Sequence, residues 1–319
     1  MDNGSNASNA GRRIWRVCPL CGGDESDLLH AKDPLRIVRC ARCGMAFANP
    51  VGESFLNGSF YADLVVPFYL SPAKLEGDYA EVRFKRELRS FRRRCSAGRV
   101  LDVGCSTGAF LHQLQQRFPG SYQVTGLDVA GPALDHAERY GVPVSRVPFL
   151  EHGSGEPAFD AITFWAVLEH VEQPGQFVAR AASLLRPGGH CFVLVPNLRS
   201  LAVRLLGKRY RYLMPEHLNY FTADTLRRVL AQESRFELLS LRSTHFNPIV
   251  IWQDWRGSDS APTPADRADL LRRTTHWKQS RILAPLRLLH RAAEIALAQF
   301  GLADNLLAVL RRKAIPPES

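Results

Sequence analysis

The sequence predicts an α/β fold in which an open, mostly parallel sheet is covered by helices, and three observations predict it. Apolar runs of strand length recur near Arg99–Val103, Gln123–Asp128, Val142–Val147, Ala161–Trp165 and His190–Val195, with helical spacing between them. Such alternation calls for parallel strands joined by crossovers. The first strand enters a turn of small residues, Gly104-Cys-Ser-Thr-Gly108, and a helix with Phe110, Leu111 and Leu114 on one face follows. The second strand ends in a carboxylate, Asp128.

Each element has a physical reading. Glycine is needed where the backbone takes positive φ or lies against a ligand, and a helix start presents unpaired N–H groups to whatever sits there. The same turn also serves ordinary strand-to-helix packing. A carboxylate at the end of the second strand is where an open α/β sheet grips the two hydroxyls of a ribose. A nicotinamide-binding domain would place an acid there too, but its turn reads Gly-x-Gly-x-x-Gly, which Gly104 to Gly108 does not fit.

Two further segments complete the pattern. Phe159 to Val171 is a buried strand ending in a loop with Glu169-His170, and Leu184 to Asn197 is a helix end, a Pro-Gly-Gly turn and another apolar strand. In this order and at these separations, from Arg99 to Leu241, the set resembles class I S-adenosylmethionine-dependent methyltransferases. The resemblance implies that Asp102, Gly104, Cys105, Ser106 and Gly108 surround the methionine part of the cofactor. It implies that Asp128 and Val129 take the ribose, and that Phe164, Trp165 and Ala166 lie beside the sulfonium and the substrate. Two positions depart from the family: Ser106 replaces the middle glycine of the turn, and Ala166 stands where relatives often carry a polar residue.

Ahead of this core, Cys18-Pro-Leu-Cys21 and Cys40-Ala-Arg-Cys43 have the spacing of a four-thiolate zinc site, with Gly22 and Gly44 directly after each pair. Two disulfides, or four unrelated thiols, are the alternatives. Filled by four thiolates, such a site leaves no position for a reactive water, so the zinc is structural and folds a ribbon too small for its own core. Short strands are expected around His30–Lys32 and Arg36–Arg39. Cys95, Cys105 and Cys191 remain, an odd number that fits a reducing compartment.

The chain then divides as a disordered tail (1–13), the ribbon (14–54), an aromatic and helical linker (55–95), the core (96–246), a helical insertion (247–301) and a last strand with its tail (302–319). In the linker, Phe55, Phe60, Tyr61, Phe68 and Tyr69 are read mainly as glue between ribbon and core, with one or two over the cofactor pocket. Tyr79 to Arg94 is read as one helix whose run of arginines and lysines makes a solvated face. In the insertion, Asp259 to Pro264 is a linker and Arg281 to Phe300 an amphipathic helix that packs on the core, a membrane or a second subunit. Asn305 to Lys313 is the last strand, which in the resembled family inserts antiparallel beside the preceding one.

Catalytic candidates belong at the carboxyl ends of the strands. The stretch Glu216-His217-Leu-Asn-Tyr220-Phe221 precedes a helix capped by Thr222, with Thr225 at the third position instead of the Glu of a full capping box. It resembles the Glu-His-x-x-Tyr-Phe segment of small-molecule methyltransferases that also carry a zinc ribbon. By that resemblance His217 is the general base, Glu216 its partner or alternate, and Tyr220 an orienting hydroxyl; the alternative is that His217 and Tyr220 only tie the loop down. Arg199, Arg204, Lys208, Arg209 and Arg211 precede this loop and would suit a phosphate-bearing substrate.

With 319 residues, 45% of them hydrophobic, and a net charge of +10, the chain can bury a full core and suits an acidic partner: nucleic acid, a nucleotide-linked sugar or an anionic membrane. No uncharged apolar run reaches bilayer length, and Met1 to Ala10 has no apolar core for export, so a cytoplasmic protein is expected. The expected activity is S-adenosylmethionine-dependent methyl transfer to a small molecule, such as a sugar nucleotide, a glycan precursor or a secondary metabolite. An RNA methyltransferase and a non-catalytic scaffold are the rivals, and a homodimer is compatible with either.

Overall fold

The computed structural model describes residues 12–61, 66–153, 158–256, 270 and 284–314. The predicted disorder of Met1 to Gly11, the linker Asp259 to Pro264, and the first residues (281–283) of the amphipathic helix lie outside these.

Two short strands, β1 (Arg13–Ile14) and β5 (Val51–Gly52), close an N-terminal module around β2 (Ser26–Lys32), β3 (Leu35–Cys40) and β4 (Ala46–Ala48). Four helices follow: α1 (Glu53–Leu56), α2 (Val66–Tyr69), α3 (Pro72–Tyr79) and α4 (Lys85–Arg92). The core then alternates as predicted: β6 (Gly98–Val103), α5 (Ala109–Arg117), β7 (Tyr122–Leu127), α6 (Gly131–Arg139), β8 (Val144–Ser145), β9 (Phe159–Trp165), α7 (Pro174–Leu184) and β10 (Leu185–Pro196). After α8 (Leu201–Leu206) come β11 (Asn219–Tyr220), α9 (Ala223–Ala231), β12 (Phe236–Thr244), α10 (Pro248–Arg256), α11 (Ala284–Gln299) and β13 (Asn305–Arg312).

The main sheet runs β12-β13-β10-β9-β6-β7-β8. β10, β9, β6, β7 and β8 are parallel, and β13 inserts between β10 and β12, antiparallel to both. The two-residue alternation of a strand sorts its side chains between the faces. Val100, Ala161, Phe192 and Val309 face α4, α5 and α6 through Phe91, Phe110, Leu114 and Ala137. Their neighbours Leu101, Ile162, Val193 and Ala308 face α7 and α9 through Val178, Ala181, Leu226 and Val229.

The ribbon is not a separate body. Cys18, Leu20, Met45 and Phe47 belong to the same buried cluster as α7 and α9, while Leu35, Ile37, Ala46 and Ala48 pack with Ala202 and Leu206 of α8 and with Leu218 and Tyr220. The aromatic linker adds to this packing: Phe55 lies against the second cluster, and ring contacts run from Phe55 through Phe60 and Tyr61 to His170. The stretch expected as a bare Glu-His loop also joins the ribbon: β11 pairs with β4, making the ribbon sheet β11-β4-β3-β2.

Other expectations are corrected in detail. The third core strand is only Val144–Ser145. The helix expected over Tyr79 to Arg94 is shorter: Tyr79 ends α3 and α4 begins only at Lys85, with Gln113 Nε2 donating to the carbonyls of Asp78 (3.1 Å) and Ala80 (3.0 Å) at the break. The basic residues of α4 and its approach are not simply a solvated face: Arg83 pairs with Asp78 (3.4 Å), Arg86 with the buried Glu294 of α11, and the Arg92 guanidinium lies 4.3 Å from the Phe118 ring. At the start of α9 the capping box is complete, with Thr225 supplying the reciprocal bond expected only of Glu: its Oγ1 accepts from Thr222 N at 2.9 Å.

Candidate active site and zinc centre

The turn after β6 holds three residues in the left-handed region, Gly104 (φ +72°), Ser106 (φ +51°) and Gly108 (φ +74°). A Cβ on Gly104 would lie 2.6 Å from Val167 Cγ2, and one on Gly108 would lie 2.8 Å from Ala137 Cβ. Both glycines are therefore required by conformation and by space, whereas Ser106 carries its strain without a clash. Asp128 closes the turn: its Oδ2 accepts from Ser106 N (2.8 Å) and its Oδ1 from Ala130 N (2.9 Å). Each oxygen keeps a lone pair, which is the acceptor capacity that two ribose hydroxyls require. Burial raises the Asp128 pKa against these N–H donors.

The remaining predicted cofactor residues are distributed unevenly around this turn. Val129 is exposed beside Asp128. Asp102 is buried, accepts from Thr163 Oγ1 at 2.5 Å and is pushed up to about 7 by burial, so it braces the turn from behind. The Cys105 thiol packs against Gly126, where a Cβ would come within 2.6 Å of its sulfur. Phe164 is wholly buried against Phe149, and Trp165 packs on Phe110, with ring centroids 5.5 and 5.1 Å apart. Ala166 does reach the surface, at φ +60°, which aims the following loop across the strand ends.

That loop meets the Glu-His loop through backbone bonds. Leu218 N and Asn219 N both donate to Glu169 O (2.7 and 3.0 Å), and Asn219 Nδ2 donates to the carbonyls of Leu168 (3.0 Å) and Val171 (2.7 Å). The result is a compact group: one ligand-capable atom each from Glu169, His170 and His217 lies within 4.8 Å of the others. All three side chains have the donor chemistry of a metal site as well as of proton transfer. Glu169 is buried, and neither carboxyl oxygen has a hydrogen-bond partner among the described residues; burial pushes its pKa up to about 8. Burial lowers that of His170. Tyr61 lies over the group, its hydroxyl 2.6 Å from His170 Nδ1 and 3.1 Å from Glu216 O.

A model of the family described as "Methyltransferase domain" matches residues 79–241. The chain belongs to that family. Its members are S-adenosylmethionine-dependent methyltransferases, and the turn and Asp128 described above are the parts of this chain that fit that cofactor. Curated relatives include ubiquinone biosynthesis O-methyltransferases of Alkalilimnicola ehrlichii, 33% identical over 47% of this chain and 65% of the relative, and of Chromobacterium violaceum, 31% identical over 48% and 70%. The chain thus spans about two thirds of such relatives. Among solved structures, a methyltransferase of Thermotoga maritima described as a possible histamine N-methyltransferase shares the fold (TM-score 0.50, 15% identity, 78% of this chain and 98% of that one). So does a chain of the complex between the Haloferax volcanii Trm112 methyltransferase activator and a putative methyltransferase (TM-score 0.52, 13% identity, 81% and 100%).

In this methyltransferase the four ribbon cysteines converge. Cys18 and Cys43 sulfurs are 3.4 Å apart and Cys21 and Cys40 sulfurs 3.6 Å, with all four within 4.8 Å of one another. Zinc–sulfur bonds of about 2.3 Å give a tetrahedron with edges of about 3.8 Å, so the set fits zinc, and the separations are far beyond a disulfide's ~2.05 Å. Each pair sits on the same knuckle: Gly22 N donates to Cys18 O and Gly44 N to Cys40 O, both at 2.9 Å, with φ +69° and +73° at the two glycines.

Arg16 is not among the residues selected from the sequence, and no motif marks it. It is buried, its guanidinium donates to the carbonyls of Leu218 (3.1 Å) and Glu172 (2.7 Å), and its backbone N–H and carbonyl bond the side-chain amide of Asn49, so it fastens the ribbon to both loops. Two other expectations change. Tyr220 donates its hydroxyl to Met214 O (2.9 Å), within its own loop. Arg211, expected to face a phosphate, is buried against Asp254, its Nε 2.7 Å from Oδ1, and Arg199 lies 3.6 Å from Asp224.

Proposed function

We propose that this methyltransferase acts on a hydroxyl of a small acceptor held against Glu169, His170 and His217 and covered by Tyr61. The observation that carries the reading is the convergence of these proton-handling side chains at the carboxyl ends of the strands, beside the cofactor turn. A hydroxyl is a poor nucleophile until its proton is taken, whereas a neutral amine needs no base. A site furnished with two imidazoles and a carboxyl therefore suits oxygen, as in the O-methyltransferases to which the chain is similar.

The bound cofactor supplies an already activated methyl group on its sulfonium. What falls to the protein is alignment of the acceptor and removal of its proton. His217 is the base. Glu169 joins Glu216 as a carboxyl beside it: Glu169 presents a buried carboxyl to the group, and the Glu216 charge acts on His170, Tyr61 and Tyr220. Tyr220 holds the loop through Met214. The RNA reading draws on the ribbon and the basic charge; a ribbon packed into the core and paired with β11 favours a small acceptor instead, handled in a reducing cytoplasm where its thiols keep zinc.

The test is calorimetric binding of S-adenosylhomocysteine beside turnover on a panel of phenolic acceptors and nucleotide sugars. His217→Ala is expected to lose about 100-fold or more in kcat with cofactor affinity retained. Asp128→Ala is expected to lose cofactor affinity first. Normal turnover by His217→Ala would overturn the base assignment, and transfer to RNA with none to any small acceptor would overturn the substrate class.

A further inference from the structure

Away from the active site, α8 and α10 pack side by side and leave an open apolar groove of about 460 Å³ between them. Leu205, Trp252 and Trp255 line it while 63%, 53% and 64% exposed, with Leu206, Phe246 and Ile251 at its floor and wall. The apolar surface continues on α11. His290 bonds Phe246 O at 2.8 Å and stacks on the Phe246 ring, which brings α11 to the groove's edge, and Leu288 and Leu289 on that helix are about 70% exposed.

The charges on these helices are sorted by sign. Residues 201–209 and 248–256 contain one carboxylate, Asp254, and α11 contains one, Glu294. Both are buried, Asp254 against Arg211 and Glu294 against Arg86. The cations Arg204, Lys208, Arg256 and Arg291 are exposed, and the Arg256 guanidinium lies 4.9 Å from the Trp252 ring. The two carboxylates are thus withdrawn into ion pairs, and among the described residues of α8, α10 and α11 the exposed charged side chains are all cations, set beside exposed tryptophan and leucine.

We infer that this face docks on an anionic lipid bilayer. Tryptophan has an apolar body and a polar N–H and settles at the headgroup level, and each nearby cation adds ~1 kcal/mol of attraction to an anionic surface. A bilayer matches both properties at once, because it offers an apolar interior under a layer of negative charge. Attachment is peripheral: among the described residues no helix is long and apolar enough to cross a membrane. Only the Leu288 and Leu289 part of the surface falls in the helix whose amphipathic pattern is visible in the sequence; the tryptophan groove does not.

The experiment is cosedimentation of the full, zinc-loaded chain with vesicles of phosphatidylcholine alone or mixed with phosphatidylglycerol. Binding is expected only to the mixed vesicles, weakening as salt is raised. The double variant Trp252→Glu/Trp255→Glu is expected to lose about tenfold or more of that affinity, and Arg256→Glu a smaller factor. S-adenosylhomocysteine affinity and turnover on a soluble acceptor serve as the check on folding, and both should be unchanged. Equal binding by the double variant, or no binding by the wild type, overturns the inference. So does a dimer in solution that the same variant dissolves without any vesicle binding, since the groove would then be a contact between copies of the chain.

Discussion

The two halves of the proposed active site are built in opposite ways. The cofactor half is local: Gly104, Ser106, Gly108 and Asp128 lie within 25 residues of one another, and their positions follow from positive φ, small side chains and one carboxylate. The acceptor half is assembled from four distant segments, with Arg16 at 8% exposure, Tyr61, Glu169-His170 and His217 brought together by backbone bonds and by the ribbon sheet. The zinc ribbon therefore belongs with the proposed acceptor half. It makes β4 the partner of β11 and Arg16 the clamp on Leu218, so the metal fixes the base loop without touching the chemistry.

The largest break in that comparison should come from the metal. A structural zinc contributes on the order of 10 kcal/mol to folding, and a displacement of about 1 Å in a catalytic group can cost ~100-fold in rate. Cys43→Ser is therefore expected to drop zinc content to near zero and turnover by about 100-fold or more, while S-adenosylhomocysteine affinity changes by less than about tenfold. Metal analysis and calorimetry on the same sample check this. Equal loss of both functions would mean that the halves are not separable.

The reverse break is smaller. In Gly104→Val the new side chain meets Val167 Cγ2 at 2.6 Å from its Cβ, at a φ of +72° that valine disfavours. Strain of this kind costs ~1–3 kcal/mol, which corresponds to about a 10- to 100-fold rise in the Kd for S-adenosylhomocysteine. Zinc content should stay at one per chain. Unchanged affinity would remove the turn from the cofactor site.

The same division decides what was legible in the sequence. β6, β7, β9, β10, β12 and β13, and the turn, follow from periodicity and small residues, because both act over a few positions. The four cysteines are legible because spacing alone nearly fixes a tetrahedral site. Arg16 is not, since an arginine in an apolar stretch gives no signal of the carbonyls 156 and 202 residues away that it will satisfy. The part played by Glu169 is illegible for the same reason: both Glu216 and Glu169 belong to Glu-His pairs, and only the bonds between the two loops show that the Glu169 carboxyl is turned inward toward His217. Arg211 went the other way: a basic run reads as surface until Asp254, 43 residues on, is seen to neutralise one member.

The smallest effect tests that inward carboxyl directly. Burial holds Glu169 near a pKa of about 8, against ~4.3 for a glutamate in an unfolded chain. Between these values the native state binds a proton that the unfolded state has lost, so stability falls as pH rises from ~4.3 toward 8, and the decline levels off above it. Glu169→Gln removes the titration while keeping the shape of the protonated acid. Its stability relative to the wild type should therefore rise steadily between pH 5 and 8, by on the order of a few kcal/mol at most. Urea unfolding at several pH values measures the difference. Parallel pH profiles for the two proteins would place the Glu169 carboxyl in water, and with that the acceptor half would lose the buried acid that distinguishes it from the cofactor half.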